Sequence, residues 1–400
     1  MGSLHPLGIM PAAALQYGMR YYLSGRCVLR RLETPSVYDI ESDELYELDE
    51  DAFEFLACCA SPGGCSSDNG IFIDYCVQEG ILVTGPVAVR RAPVVRSPAP
   101  SLRYLELQVT DRCNLRCRHC FIGERGSNEL SPDEIGAVLS EFEAMQGLRV
   151  LITGGEPLLY SRFAELNRML SGYSLRKVLF TNGSLLTRKI LRELAVHEVQ
   201  VSIDGLKEAH DSLRGEGSFE SALNAVRTCA AEGVCVSVST MVHAKNLGDF
   251  DAMQELFDGI GVKDWTVDVP CETGRLEQNR DFLVDPATGG RYLAYGRGEG
   301  LHTSTPGFAC GLHLMSVSAA GGISKCTFYA GREAGTVRDG LLRCWKKIPP
   351  VRLAALKCDC AHLEQCRGGC RYRAELLDGP FGRDLCRCAL YNHHASDIIE

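Results

Sequence analysis

The sequence predicts an α/β protein whose central part is built on a parallel sheet. Short apolar stretches alternate there with segments whose apolar residues recur at helical spacing, a repetition typical of strands joined by helical crossovers. The predicted strands lie at 104–109, 150–152, 178–180, 199–203, 234–241 and 265–269. Helices are predicted at 186–196, 219–232 and 247–259, and another follows Ser131-Pro132-Asp133-Glu134, which combines an N-cap, a first-position proline and first-turn acidic residues.

Two short motifs follow the first two predicted strands. The run CNLRCRHC brings Cys113, Cys117 and Cys120 together, and three thiolates without a fourth leave one iron of a 4Fe-4S cluster open to a ligand. The run GGEP, from Gly154 to Pro157, closes the second apolar stretch as a strand end opening into a loop. Buried small side chains or half of a structural zinc site are the alternative interpretations of the cysteines. Together the motifs resemble those of the radical S-adenosylmethionine (SAM) family, whose cluster motif is CxxxCxxC.

The resemblance implies a partial (β/α)6 barrel of the TIM type over residues 102–300, with its chemistry at the carboxyl ends of the strands. It implies that the GGEP loop holds the methionine part of SAM, with Glu156 accepting from the amino group and the glycines allowing close backbone approach. The residues that the resemblance assigns to SAM are Gly154, Gly155, Glu156, Pro157, Asn182, Ser202, Asp204, Arg214 and His119.

Ordinary roles compete for several of these side chains. Ser202 and Asp204 would otherwise be polar groups at a strand end, Arg214 a surface residue, and His119 an exposed loop histidine. The remaining notable histidines, His210, His393 and His394, have no partner at a spacing typical of a site. We interpret them as ordinary surface residues.

The last hundred residues hold nine cysteines, a density that core packing does not explain. Their order resembles the SPASM extension of the same superfamily, which usually binds two auxiliary 4Fe-4S clusters. The resemblance assigns Cys310, Cys326 and Cys370 to the first auxiliary cluster. It assigns Cys358 or Cys360, together with Cys366 and Cys386, to the second.

Departures from the family pattern leave the ligands of these clusters open. Cys358 and Cys360 are one residue apart where the pattern has two, and Cys388 competes with Cys386 as the closing ligand. A ligand shortly before Cys310 is missing from the sequence. The first auxiliary cluster therefore either keeps an open iron or takes Cys344 or Cys271 as its fourth ligand, and its role is either structural or chemical.

Cys271 follows the sixth predicted strand and is expected to face the barrel cavity. There it is our candidate catalytic residue, since a thiol in that place would donate a hydrogen atom. A half-buried, unreactive thiol is the alternative.

Residues 1–85 predict a separate module of three short strands at 27–32, 37–40 and 44–48, a helix capped by Asp49, a second helix at 71–79 and a strand at 81–83. This order resembles a RiPP recognition element, the winged-helix domain related to the pyrroloquinoline quinone peptide chaperone, which binds leader peptides. Cys58, Cys59, Cys65 and Cys76 match no standard metal spacing, so we expect helix packing plus one loop thiol. Residues 86–101 are rich in proline and predict an extended linker before the barrel, and residues 301–400 form the cysteine-rich domain.

Composition limits the functional classes. The formal net charge of −9 argues against a general nucleic-acid binder, and no stretch has the length and apolarity of a membrane span. Twenty cysteines in tight, ligand-like spacings without an export signal favour metal clusters in a reducing cytoplasm over disulfides.

The leading functional hypothesis is a radical SAM maturase of a ribosomally made peptide, which removes a hydrogen from a peptide carbon to form a cysteine thioether. Its partners would be a precursor peptide, whose leader the N-terminal module binds, and a reductant such as flavodoxin or ferredoxin. The alternatives are peptide epimerisation, carbon-carbon crosslinking, a sulfatase-type formylglycine maturase and a non-enzymatic iron-sulfur electron carrier. The sulfatase type commonly has an acidic base after the cysteine at which this chain has Cys326 followed by Thr327.

Overall fold

The computed structural model describes residues 19–123, 126–298 and 305–391, so His393 and His394 lie outside the described residues. The described residues up to 91, apart from 31–33, form one compact unit. Residues 31–33 and those from 92 onward form the second. The boundary falls within the predicted linker. Among the described residues, no helix combines the length and the apolarity that crossing a membrane requires.

The first unit has the predicted order of strands and helices, preceded by one unpredicted strand. Its elements are β1 (Tyr22–Leu23), β2 (Cys27–Arg31), β3 (Pro35–Asp39), β4 (Glu44–Glu47), α1 (Glu50–Cys59), α2 (Gly70–Gln78) and β5 (Leu82–Val83). Strands β2, β3 and β4 form one sheet, and β1 pairs with β5. Asp49 caps α1 by accepting from the amide of Ala52, as predicted. The winged-helix assignment stays a prediction.

The four cysteines of this unit divide into two pairs. Cys59 and Cys76 are buried in its hydrophobic core, as predicted for packing residues. Cys58 and Cys65 instead lie beside each other near the surface, with the Cys58 thiol 4.0 Å from the Gly64 carbonyl oxygen and the Cys65 thiol 3.9 Å from that of Ser66. Two thiols, and not the single loop thiol that was expected, therefore lie near the surface of this unit.

A single sheet of nine strands organises the second unit. Its strands are β6 (Tyr104–Gln108), β7 (Arg149–Thr153), β8 (Arg176–Thr181), β9 (Glu198–Ser202), β10 (Cys235–Met241), β11 (Trp265–Asp268), β12 (Leu314–Val317), β13 (Gly322–Ser324) and β14 (Gly335–Thr336). Strands β6 to β11 are parallel and neighbour one another in chain order, which confirms the six predicted parallel strands.

The segment predicted as a separate cysteine-rich domain is joined to this sheet. Strand β12 pairs in parallel with β6, and β13 and β14 continue the sheet as antiparallel neighbours. This pairing satisfies the backbone groups that β6 would otherwise expose at its edge. It also places the cysteines of the C-terminal segment beside the first strand of the barrel.

The helices of the second unit are α3 (Pro132–Ala144), α4 (Phe163–Leu170), α5 (Arg188–Glu193), α6 (Lys207–Arg214), α7 (Ser218–Ala231), α8 (Phe250–Ile260), α9 (Pro286–Tyr292), α10 (Leu341–Trp345), α11 (Leu363–Cys366), α12 (Arg371–Asp378) and α13 (Leu385–Leu390). Helix α3 begins with the predicted cap, because Ser131 and Glu134 form a reciprocal capping box. Helices α4 and α6 were not predicted from the sequence. Both have only eight residues, and neither has a side-chain N-cap.

Successive side chains of β6 point alternately to the hydrophobic core and to the barrel interior. Leu105 and Leu107 are fully buried and pack in the cluster that contains Ile135 and Phe142 of α3. Glu106, between them, points to the opposite face. The strand thus presents a charged side chain to the inside of the barrel.

Candidate functional site

A cavity of about 330 Å³ lies at the carboxyl ends of the barrel strands. Ten of the thirteen site residues predicted for the barrel line this first cavity, namely Cys113, Cys117, His119, Cys120, Gly154, Gly155, Asn182, Ser202, Arg214 and Cys271. Glu156, Pro157 and Asp204 are predicted site residues that lie behind its wall. These residues lie together at the strand ends because the carboxyl ends of parallel strands share one rim.

The cysteine loop follows β6 and surrounds one end of the first cavity. The amide of Leu115 donates to Sγ of Cys113 at 3.5 Å, and the side-chain amide of Asn182 lies 3.9 Å from the same sulfur. Burial raises the pKa of Cys117, while the nearby Arg214 guanidinium lowers it. Thiol sulfurs with N–H donors and a cation nearby suit thiolate ligands of an iron-sulfur cluster.

The two glycines of the GGEP loop allow it to approach the cysteine loop. A Cβ on Gly154 would lie 2.5 Å from the Thr110 carbonyl oxygen, and one on Gly155 would lie 2.4 Å from that of Arg112. The amide of Gly155 donates to Thr110 and that of Glu156 to Arg112, both at 2.8 Å. The two glycines were predicted to let the backbone approach SAM closely. The structure shows that they are already needed for the close approach of the GGEP loop to the backbone of the cysteine loop.

Glu156 is fully buried and its carboxylate is occupied by the chain. One oxygen accepts from the Thr181 hydroxyl at 2.8 Å, and the other accepts from the amide of Asn182 at 2.9 Å. Burial raises the pKa of Glu156, although these hydrogen bonds act to lower it. Glu156 therefore joins the loops after β7 and β8 and positions Asn182, and its contact with an amino group stays a prediction.

Asp204 is the buried centre of a polar network behind the first cavity. Its carboxylate accepts from Nε of Arg214 at 2.5 Å and from the amide of Met241 at 2.7 Å. Burial acts to raise the pKa of Asp204, but Arg214, His119 and His210 together hold that pKa well below its ordinary range. The ionised Asp204 fixes the Arg214 guanidinium at the cavity wall, so Arg214 is not a surface residue.

His210 corrects the prediction of an ordinary surface histidine. It is 1% exposed, and its Nδ1 accepts from the amide of Asp204 at 3.0 Å. Burial lowers its pKa to about 4, which keeps the ring neutral as an acceptor. Its place on α6, a helix not predicted, explains why spacing alone gave it no partner.

His119 lines the cavity as a neutral ring whose side chain is 13% exposed. Burial lowers its pKa to about 3, and its Nε2 lies 3.8 Å from Asp204. Its Nδ1 is buried and has no hydrogen-bond partner within the described part of the chain. A bound group that offers a polar atom at this place would satisfy it.

A second cavity, of about 470 Å³, brings together Cys310, Cys326 and Cys370, the three ligands predicted for the first auxiliary cluster. Lys325 lies close to all three sulfurs, and the side chains of Arg371, Arg373 and Arg387 also line the cavity. Three thiols surrounded by cationic side chains suit an anionic iron-sulfur cluster. In contrast, no three His, Cys, Asp or Glu side chains among the described residues converge on one metal ion.

Cys271 lies beside this set and Cys344 does not. The Cys271 and Cys370 thiols form a hydrogen bond, and this bond together with burial raises the pKa of Cys271. Cys344 is buried in the hydrophobic cluster under α3, where its thiol is 4.0 Å from the Thr336 carbonyl oxygen. Of the two candidate fourth ligands, the structure favours Cys271.

The remaining cysteines favour Cys388 over Cys386 in the second auxiliary set. Cys388 lies near Cys358 and Cys366, and Cys366 lies near Cys358 and Cys360. Cys386 is 2% exposed and packs in the other hydrophobic cluster of the barrel. Because two residues of α13 that are two positions apart project about 200° from each other, only one of them faces the set. This packing favours Cys388 over the predicted Cys386 as the closing ligand, and both assignments stay predictions.

Sequence reasoning did not identify Glu106, Asp268, Lys325 and Arg373 as residues of the two cavities. Only Glu106 had a recognisable pattern, a charge between two apolar residues of a strand predicted to be buried. The other three are placed by tertiary contacts.

Comparison with known proteins agrees with this geometry. The radical SAM superfamily profile matches residues 107–257. The mycofactocin maturase MftC of Mycobacterium ulcerans is 30% identical over 322 residues, which cover 69% of this chain and 86% of that protein. The Fe-coproporphyrin III synthase of Methanosarcina barkeri is 27% identical over 344 residues, which cover 70% and 86% respectively.

Among solved structures, Streptococcus suis SuiB bound to its precursor peptide SuiA superposes with a TM-score of 0.67. The match covers 92% of this chain and all of SuiB at 16% identity, so it shows the shared fold. With the cysteine loop, the GGEP loop and the parallel barrel strands in one site, the chain belongs to the radical SAM superfamily, whose members use a 4Fe-4S cluster and SAM.

Proposed function

We propose that the chain matures a ribosomally made precursor peptide by removing a hydrogen atom from a peptide carbon, and that it then forms a cysteine thioether. The observation that carries this proposal is the wall between the two cavities. We call this wall the partition; the residues that line both cavities are Glu106, Thr266, Asp268 and Phe328. The cysteine loop lies on one side of the partition, and the set of Cys310, Cys326 and Cys370 lies on the other. A substrate carbon activated in the first cavity would lie close to the second set of thiols.

Cys113, Cys117 and Cys120 would hold the cluster that binds SAM, beside Gly154, Gly155, Asn182 and Ser202. Bound there and reduced by one electron, cluster and SAM supply a 5′-deoxyadenosyl radical. The chain orients the ligand, since Arg214 offers a fixed cation to a carboxylate and His119 a flat neutral ring. Apolar side chains, among them Phe121, Phe180 and Phe328, line the same cavity and limit the access of water.

Two auxiliary clusters are part of the proposal. Cys310, Cys326 and Cys370 with Cys271 would hold the first, and Cys358, Cys360, Cys366 and Cys388 the second. Cys271 has two possible roles in this proposal. Because it contacts Cys370, it would serve as a cluster ligand, and because it lines the first cavity, it would alternatively donate a hydrogen atom. Donation would accompany epimerisation instead of a thioether, while carbon-carbon crosslinking shares the same opening step.

The first unit would capture the leader of the precursor peptide. Strand β4 is an edge of its sheet and lies next to α2, since the Tyr46 and Tyr75 rings meet edge to face at 6.4 Å. Ile71 and Tyr75 expose apolar surface on that helix, 83% and 44% respectively. An extended leader added to β4 would gain backbone hydrogen bonds from the strand and apolar contacts from the helix.

Porphyrin chemistry is the second candidate function, because the similarity to the Fe-coproporphyrin III synthase of Methanosarcina barkeri also covers most of both chains. A formylglycine-type maturase is weakened by Thr327, which stands where such an enzyme commonly has its acidic base.

Mass spectrometry of the peptide tests the function. We expect anaerobic incubation of the reconstituted enzyme with SAM, a reductant and a precursor peptide to remove two hydrogen atoms per modification and to protect one peptide thiol from alkylation. The Cys113→Ala/Cys117→Ala/Cys120→Ala variant is the control and should leave the peptide unchanged. Modification by this variant, or turnover of coproporphyrin in place of peptide, would contradict the proposal.

A second prediction concerns the pair of Asp204 and Arg214. Replacing Asp204 by asparagine leaves the buried guanidinium without its counter-charge, so it will no longer hold its position at the cavity wall. We expect Asp204→Asn to weaken SAM binding roughly 10- to 100-fold, or about 1.4–2.8 kcal/mol, in equilibrium dialysis of the cluster-loaded protein. Lys207→Gln, which removes an exposed charge from the same helix, should bind SAM like the wild type. Equal affinity for Asp204→Asn would show that the pair does not position the ligand.

The choice between Cys388 and Cys386 is open to iron analysis. Three 4Fe-4S clusters contain about twelve irons, and we expect Cys388→Ala to lose about four of them. Cys386→Ala is the matched variant one helix face away, and it should keep its full iron content. The reverse result would return the ligand role to Cys386.

A further inference from the structure

The partition between the two cavities contains two carboxylates, Glu106 and Asp268. They differ in their partners. Asp268 is paired with the Arg373 guanidinium at 2.9 Å, so its negative charge is neutralised by a fixed cation. Glu106 forms no ion pair within the described residues and accepts only from Thr327, whose amide lies 2.9 Å from Oε2.

Glu106 is held in its place by the sheet. It lies at the centre of β6, where it is opposite Leu151 of β7 and Ser316 of β12. Its neighbours Leu105 and Leu107 are fully buried on the other face of the strand. The carboxylate therefore reaches both cavities from a rigid strand, which is the placement that proton transfer requires.

Joining a substrate carbon radical to a peptide thiol changes the electron count. The first step transfers a hydrogen atom from the carbon to the 5′-deoxyadenosyl radical. Bond formation between the carbon radical and the thiol sulfur then releases one electron and one proton. The electron requires a one-electron acceptor, an oxidised iron-sulfur centre, and the proton requires a base near the same bond.

We propose that Glu106 is the base that takes this proton on its carboxylate, in the position between the radical-forming cavity and the Cys310, Cys326 and Cys370 set. This inference rests on the proposed peptide oxidation and adds its proton acceptor. Burial raises the pKa of Glu106 to about 7, with only the two hydrogen bonds from Thr327 to lower it. A carboxylate of this kind holds a transferred proton far better than an exposed one does.

The contact with Thr327 gives a specific explanation for the missing acidic residue after Cys326. Thr327 lines the first cavity, and its amide donates to Glu106. The Thr327 side chain also donates to Glu106, so a carboxylate on β6 lies within reach of a side chain at position 327. The base is supplied by the barrel strand instead of by the cysteine segment.

The test compares Glu106→Gln with the double variant Glu106→Gln/Thr327→Asp. Glutamine keeps the size of the side chain and an oxygen acceptor but takes no proton, whereas aspartate at 327 returns a carboxylate to the same place. We expect Glu106→Gln to keep its iron content and its 5′-deoxyadenosine formation while crosslinked peptide falls about 100-fold or more. The double variant should recover at least about a tenth of the wild-type product.

Each outcome has a distinct meaning. Unchanged product from Glu106→Gln would overturn the assignment and leave the proposed function intact. A wild type that forms 5′-deoxyadenosine without modifying peptide would remove the proposed function, and this assignment with it. Failure of the double variant, with its iron content intact, would also contradict a proton-accepting role at this position.

Infrared difference spectra of cluster-loaded wild type minus Glu106→Gln give a readout independent of turnover. We expect a protonated carboxyl band at low pH that is lost as the pH rises through about 7. A carboxyl group that is ionised throughout, from about pH 5 upward, would contradict the buried site on which the assignment depends.

Discussion

The buried guanidinium of Arg373 connects the barrel to the cysteine-rich segment. It donates to Asp268 at 2.9 Å and to the Val269 carbonyl, both at the end of β11, and it makes two hydrogen bonds of 2.8 Å to Asp384. Asp384 also accepts from the amide of Cys370 at 2.7 Å. With its side chain only 7% exposed, Arg373 is costly to bury without these partners, so they are fixed relative to one another. The positions of Cys271, Cys370 and helix α13 all follow from this connection.

The two cavities differ in charge in a way that suits different occupants. Behind the first, Asp204 compensates the Arg214 cation, and the His119 ring is neutral. The second collects Lys325, Arg371 and Arg387 around three thiols. Cations stabilise thiolates and the anionic clusters they bind, whereas a cavity with one fixed cation and apolar walls suits a small zwitterionic ligand. The residues shared by the two cavities keep these environments separate but close together.

Local sequence was sufficient for the parts of the structure that depend on local physics. The six parallel strands, the Ser131 and Asp49 caps and the cysteine and GGEP loops follow from periodicity, capping and chain order, and the structure contains them. Prediction from local sequence failed where the interacting residues are distant in the chain. His210 had no sequence neighbour that indicated burial under Asp204, and the choice between Cys386 and Cys388 depends on which face of α13 packs on the barrel. Nor could the sequence show that β12 pairs with β6, which brings Thr327 to Glu106.

The most direct test of the account is isotopic. Precursor peptide with deuterium on its side-chain and α carbons is incubated anaerobically with wild-type enzyme, SAM and reductant, and the mass of the 5′-deoxyadenosine is measured. If a peptide carbon is the hydrogen source, the nucleoside gains one deuterium in step with peptide modification. Formation of 5′-deoxyadenosine at the same rate without deuterium would contradict the account, because the radical made in the first cavity would then act on something other than the peptide.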